Sequence, residues 1–181
     1  GRDQSGVRLL TDFSDRTAEK VAEEIEQRRS PGDPVIASIH WGPNWGYEIP
    51  LPHRSFAHRL IDLGAVDLVH GHSSHHVKPF EVYKGRLILY GCGDFINDYE
   101  GISGRAEFRS DLTLMYLADL SDSGRLKNLE MVPLRIERMR LRQTGREDAN
   151  WLKETLNRVS RPLRTRVRVD EQNHLRLSDS A

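Results

Sequence analysis

The sequence predicts an α/β domain, and three observations carry that prediction. Two short, mostly apolar runs, Val35-Ile-Ala-Ser-Ile39 and Ala65-Val-Asp-Leu-Val69, flank an amphipathic segment with helical spacing. Strand, helix and strand at this separation form a βαβ unit, which implies parallel pairing and a right-handed crossover. Beyond it, Lys84-Gly85 joins apolar segments at residues 79–83 and 86–90, a two-residue connection of the hairpin kind.

The elements follow in order. Ser14 can cap a helix over residues 15–29, where Ala18, Val21, Ala22 and Ile25 recur at three- and four-residue spacing. Ser30-Pro-Gly-Asp-Pro34 stops it and turns the chain into the first buried strand, residues 35–39, with His40 at its C-terminal end. A loop rich in Gly, Pro and Trp covers residues 41–52. Residues 54–63 then read as a second helix with Phe56, Leu60 and Leu63 inward and Gly64 as its stop. The next strand, residues 65–69, opens into His70-Gly-His-Ser-Ser-His-His76, and the hairpin delivers Gly91-Cys-Gly-Asp-Phe-Ile-Asn-Asp98. Residues 112–118 and 126–134 read as strands around the turn Ser121-Asp-Ser-Gly124. Residues 149–159 read as a helix, and residues 164–169 with 174–177 as a closing hairpin. Upstream, residues 7–10 are strand-like, and the chain opens on Gly rather than Met, the pattern expected of a segment of a longer protein.

Composition narrows the classes. With 181 residues, 37% hydrophobic and 30% charged, the chain suits one folded domain rather than a disordered polymer. No apolar stretch approaches the ~20 residues that cross a bilayer, and no signal-peptide pattern opens the chain; the compartment stays open. Cys92 is the single cysteine, so an internal disulfide and a cysteine-based zinc cluster are excluded and any metal site must use His, Asp, Glu or Asn. Formal charge is zero, yet residues 132–169 hold eleven Lys or Arg against four acids. That surplus reads as a solvated face or as a contact for an anionic polymer. Nucleic acid is not expected, because Trp151 is the one aromatic in that stretch for bases to stack on.

Five of eight histidines, His40, His70, His72, His75 and His76, fall at the ends of two neighbouring strands, the edge where open α/β sheets bind ligands. Neutral imidazole suits manganese, zinc or iron, and two such ions can activate a water and clamp a leaving oxygen. Alternation keeps all four histidines of residues 70–76 from pointing at one place. His40, His72 and His75 are the candidate metal ligands; the alternatives are a capping role for His40 and a loop packed on Trp41 or Trp45 for the other two. Asp94 and Asn97, on a loop that Gly91 and Gly93 let come close to a ligand, are candidate catalytic residues that orient metal-bound histidines, or else Asx turns. The rings of Trp41, Trp45 and Tyr47 pack in the core or line a cleft, and Trp41, Asn44 and Trp45 are the candidate substrate-binding residues.

Five blocks carry a family resemblance: Ser38-Ile-His-Trp-Gly42, Phe56-Ala-His-Arg-Leu-Ile-Asp-Leu-Gly-Ala65, Gly71-His-Ser-Ser-His75, Glu81-Val-Tyr-Lys-Gly85 and Leu89-Tyr-Gly-Cys-Gly-Asp-Phe95. In order and spacing they resemble the second half of the bacterial CapA or PgsA-like capsule synthesis family. The resemblance implies the C-terminal part of a four-layer α-β-β-α calcineurin-like metallophosphoesterase fold. It also implies a role in making, exporting or anchoring poly-γ-glutamate, through metal-dependent hydrolysis of a phosphoester or related bond, or through non-catalytic binding of polymer and other capsule proteins. His40, His72 and His75 match the family's metal-binding histidines. The family's upstream Gly-Asp and Asn-bearing motifs have no counterpart in this sequence, and Asp94 stands where the family pattern has Asn.

Overall fold

The structure, a computed structural model, describes residues 6–96 and 105–178, so Asn97 and Asp98 of the sequence reading lie outside the described residues. Helix α1 (Asp15–Glu26) starts where Ser14 caps it: its Oγ accepts the Thr17 N–H at 3.3 Å. Asp12 accepts from Ser14 and Thr17, and these hydrogen bonds hold its carboxyl down at about 2. Strand β1 (Ile36–His40), helix α2 (Leu51–Asp62) and strand β2 (Leu68–His72) complete the expected βαβ unit. The hairpin of β3 (Phe80–Tyr83) and β4 (Arg86–Leu89) turns at Lys84 and Gly85, both with positive φ, the geometry that matches strand twist.

These four strands form one sheet in the order β1-β2-β4-β3, parallel except for β3. One face packs under α1 and α2, where Ala18, Phe56, Ala57 and Leu60 meet Val69, Ile88 and Tyr90. The other face turns Leu68, Leu87 and Leu89 toward a second, antiparallel sheet. That sheet runs β5 (Leu112–Leu120), β6 (Leu126–Glu137), β9 (Leu175–Leu177) and β8 (Val167–Val169), with β7 (Arg140–Gln143) also on β6. Alternation puts Leu112, Leu114, Leu129, Met131, Val167 and Leu175 on its inner face, and Leu152 and Leu156 of α3 (Arg146–Val159) join the same core. The α/β class is therefore as the sequence predicts. The described layers are a helix pair, the first sheet and the second sheet, with α3 set into the core between them.

Three readings change. Residues 7–10 are not a strand: Val7 and Leu9 are exposed, and Arg8 reaches α1 through Glu24 at 2.8 Å. Strand β2 begins and ends three residues later than its apolar run suggests. Strand β7 has no counterpart in the sequence reading, because its turn uses Arg138 and Met139, both at positive φ without a glycine.

Candidate functional site

Parallel pairing of β1 and β2 sets Ser38 opposite His70 and His40 opposite His72. All four lie on the face turned toward the second sheet, at the C-terminal ends of the strands. The His40 and His72 rings stand edge to face with centroids 5.2 Å apart. His70 follows at 5.5 Å from His72, and its Nδ1 meets Ser38 Oγ at 3.0 Å. Burial pushes the pKa of His72 down, and the neighbouring His70 and His40 push it further in the same direction. Burial alone lowers His70. At neutral pH both rings are held neutral, the form whose lone pair binds metal. His70 and His72 also line a cleft of about 550 Å³ between the sheets, walled by Leu68, Leu89, Leu114 and Tyr116.

His75 belongs to a different arrangement. Its backbone N–H donates to the Asn44 carbonyl at 3.1 Å, and its Nε2 meets Asn44 Nδ2 at 3.2 Å. On the other side of the ring, Nδ1 lies 3.1 Å from both Asp94 oxygens. An acceptor carboxylate on Nδ1 and a donor amide on Nε2 assign the proton to Nδ1. This is the histidine–carboxylate pairing that fixes an imidazole's orientation and leaves Nε2 with the lone pair. Thr113 Oγ1 in turn donates to the Asp94 carbonyl, tying the loop to β5.

Among the described residues, no three His, Cys, Asp or Glu side chains converge to hold one ion. The structure thus brings His40 and His72 together and holds His75 with Asn44 and Asp94. His70, set aside in the sequence reading, shares the face of His40 and His72.

Trp41 is not a cleft residue. It is 5% exposed, donates from its indole to the Tyr90 carbonyl at 3.1 Å, and stacks on His53 with centroids 5.1 Å apart. Flush against the first sheet under α2, it has no surface to offer a substrate. Trp45 is half-buried and stacks on His76, leaving an edge beside His75 at 5.5 Å. Lys78, missed in the sequence reading, is 4% exposed with its ammonium beneath Gly42 and its pKa lowered by burial.

His76 gives the region a pH signature. It is fully buried among Trp45, Tyr47 and Phe108; its Nδ1–H donates to the Val77 carbonyl at 2.9 Å, and Nε2 has no partner among the described residues. Burial first, then the charges of Lys78 and His75, bring its pKa down to about 4 against the opposing Val77 bond. The folded value lies below the unfolded 6.5, so unfolding takes up a proton between them. Stability contributed by neutral His76 is full above pH 6.5 and is lost as pH falls toward 4, by roughly 2–3 kcal/mol at pH 4.5. Denaturant unfolding at pH 7 and pH 4.5 should show that loss in the natural protein and a smaller one in His76→Phe. Equal losses would refute the assignment.

Known proteins share this sequence at the level of a family. The family described as bacterial capsule synthesis protein PGA_cap matches residues 1–99. A probable polyglutamine synthesis accessory protein of Mycobacterium tuberculosis is 48% identical over 182 residues, covering 99% of this chain and 48% of that protein. The PGA biosynthesis protein CapA of Bacillus subtilis is 30% identical over 112 residues, 62% of this chain and 27% of that protein. The capsule biosynthesis protein CapA of Bacillus anthracis is 27% identical over 118 residues, 65% of this chain and 27% of that protein. The chain spans about half the length of the mycobacterial relative it matches.

Proposed function

The chain belongs to the bacterial capsule synthesis family PGA_cap, and on that premise we propose that it carries the histidine side of a divalent-metal hydrolase centre used in polyglutamate capsule synthesis. One observation carries the reading: His40 and His72 are register partners at the C-terminal ends of adjacent parallel strands, and His72 is held neutral. Two imidazoles on one face fit part of a coordination sphere for manganese, zinc or iron. His75 presents its Nε2 in a separate arrangement, against Asn44. A divalent ion held by His40 and His72 would supply polarisation of a phosphoryl or carbonyl oxygen and a lowered pKa for a bound water. Within this chain Asp94 is a positioning residue: it keeps the proton on His75 Nδ1. Trp45 and Asn44 border the approach to His75.

The test is metal content of the full-length chain together with turnover of a generic phosphoester. Replacing an outer partner of a metal ligand costs about 10- to 100-fold in metal affinity or activity, which is the expectation for Asp94→Asn. His40→Ala and His72→Ala should cost at least roughly 100-fold, since they remove the ligand itself. His174→Ala, in a distant turn, should match the natural protein. Unchanged metal content and turnover in both ligand variants would defeat the proposal.

A second reading has its own support. The mycobacterial relative is named an accessory protein, and a capsule component that binds polymer or neighbouring proteins without turnover needs a surface of opposite charge. The excess of cations in residues 132–169, most of them exposed, supports this reading. No helix among the described residues is long and apolar enough to cross a membrane.

A further inference from the structure

Strand β3 is the opposite edge of the first sheet from β1, and a second cleft opens there, away from the histidine pair. It measures about 760 Å³ and lies between α2, β3, the turn after the short helix Arg161–Leu163, and β9. Its floor holds one carboxylate, Glu81, already saturated: Arg54 at 3.1 Å, His58 Nε2 at 3.0 Å and the Tyr90 hydroxyl at 2.8 Å all bond to it. Its rim holds Lys127, Arg164 and Arg166, exposed and forming no ion pair among the described residues. Arg164 itself takes the left-handed conformation, φ 55°, that ends the short helix.

Part of the basic surplus is neutralised elsewhere. Arg135 is bonded to Asp111 and Asp148, which Arg109 also bridges, and Arg142 pairs with Glu137. The cations left without an acid on this rim therefore mark a place for an anion from outside. The cleft also presents apolar side chains: Val82 is 38% exposed, and Leu163 and Leu177 line it as well. Tyr83 in the cleft is stacked on His58 with centroids 3.7 Å apart, and Lys84 Nζ lies 5.3 Å from the centroid of the same ring.

We infer that this cleft binds a polycarboxylate chain, with Lys127, Arg164 and Arg166 meeting its carboxylates and Val82, Leu163 and Leu177 its methylene stretches. The identity of the polymer as a glutamate chain rests on the capsule reading above; the charge and lining of the cleft do not. Binding here does not require the histidine site, so the chain is gripped at one sheet edge while the other edge is left for chemistry.

The probe is a fluorescently labelled, γ-linked glutamate decamer, titrated by anisotropy against the full-length chain at low and high salt. Binding should weaken steeply with salt, as exposed ion pairs are screened. The double variant Lys127→Glu with Arg166→Glu should weaken it by about tenfold or more. Both positions are exposed, and each single variant, giving a smaller loss, guards against misfolding of the pair. His72→Ala should bind as the natural protein does, so failure of the hydrolase reading and failure of this one are distinguishable. Affinity unchanged in the double variant, no binding at low salt, or an oligothymidylate of equal charge bound as tightly through the same residues would overturn the assignment.

Discussion

Glu81→Ala is expected to destabilise the protein by about 3–5 kcal/mol, the range for removing one partner of a buried ionic network. Glu81 is 5% exposed at the edge strand β3, yet its carboxylate collects three donors: Arg54 and His58 from α2 and the hydroxyl of Tyr90. Burial, followed by the nearby Glu81 charge, pushes the Tyr90 pKa well up, so that hydroxyl stays protonated and donates at every physiological pH. Truncation strands the buried hydroxyl and leaves the Arg54 guanidinium, whose Nε already has no partner, without its carboxylate. Glu81→Gln keeps an acceptor but loses the charge, and should fall between Ala and the natural residue. Urea unfolding followed by tryptophan fluorescence decides it; an Ala variant within 1 kcal/mol of the natural protein, the net worth of a single exposed pair, would show that the network does not hold α2 to the sheet.

Gly71→Ala should cost about 1–3 kcal/mol by overpacking and should disturb the histidine pair at the same time. A methyl group at Gly71 would come within 2.6 Å of the Leu89 carbonyl oxygen and 2.8 Å of that of Tyr90, and would press on the Trp41 indole nitrogen. Two of these neighbours are backbone and cannot swing aside. Relief must come from β2 moving off β4 or from breaking the Trp41 to Tyr90 bond, and Gly71 lies between His70 and His72. The variant should therefore lose metal uptake along with stability. Gly6→Ala, with nothing within 4 Å of the added methyl, is the control expected to leave both intact. Full metal binding in a destabilised Gly71→Ala would separate the strand's fit from the site.

Legibility in the sequence followed the range of the forces involved. Cap, periodicity and turn chemistry are local, and α1, α2 and the β3–β4 hairpin could be read to within a few residues. The start of β2 could not. Its apolar run begins at Ala65, but Asp67 is spent on tertiary bonds, accepting the Val35 N–H at 2.8 Å and pairing with Arg29 and Arg86. The ladder with β1 then runs from Leu68 to His72, taking in the polar His70-Gly-His72 that looked like loop. That shift decides the site: a strand through His72 puts His70 and His72 on one face and leaves His75 past its end. The sequence reading left Asp94 either orienting a histidine or capping its own backbone, and the structure sets its carboxylate against His75 Nδ1. The grip of Asn44 on His75 spans 31 residues and left no local trace. Strand β7 was hidden because Arg138 and Met139 take a conformation the sequence announces only when Gly or Asn is present.

Strand β1 has one hydrogen-bonded neighbour among the described strands, so its outer margin presents unmatched amides and carbonyls beside Ile36, 58% exposed. Such a margin adds any extended segment by main-chain bonding, with little regard for side chains. Here the margin ends at His40. An extended segment that paired there would lie alongside His40.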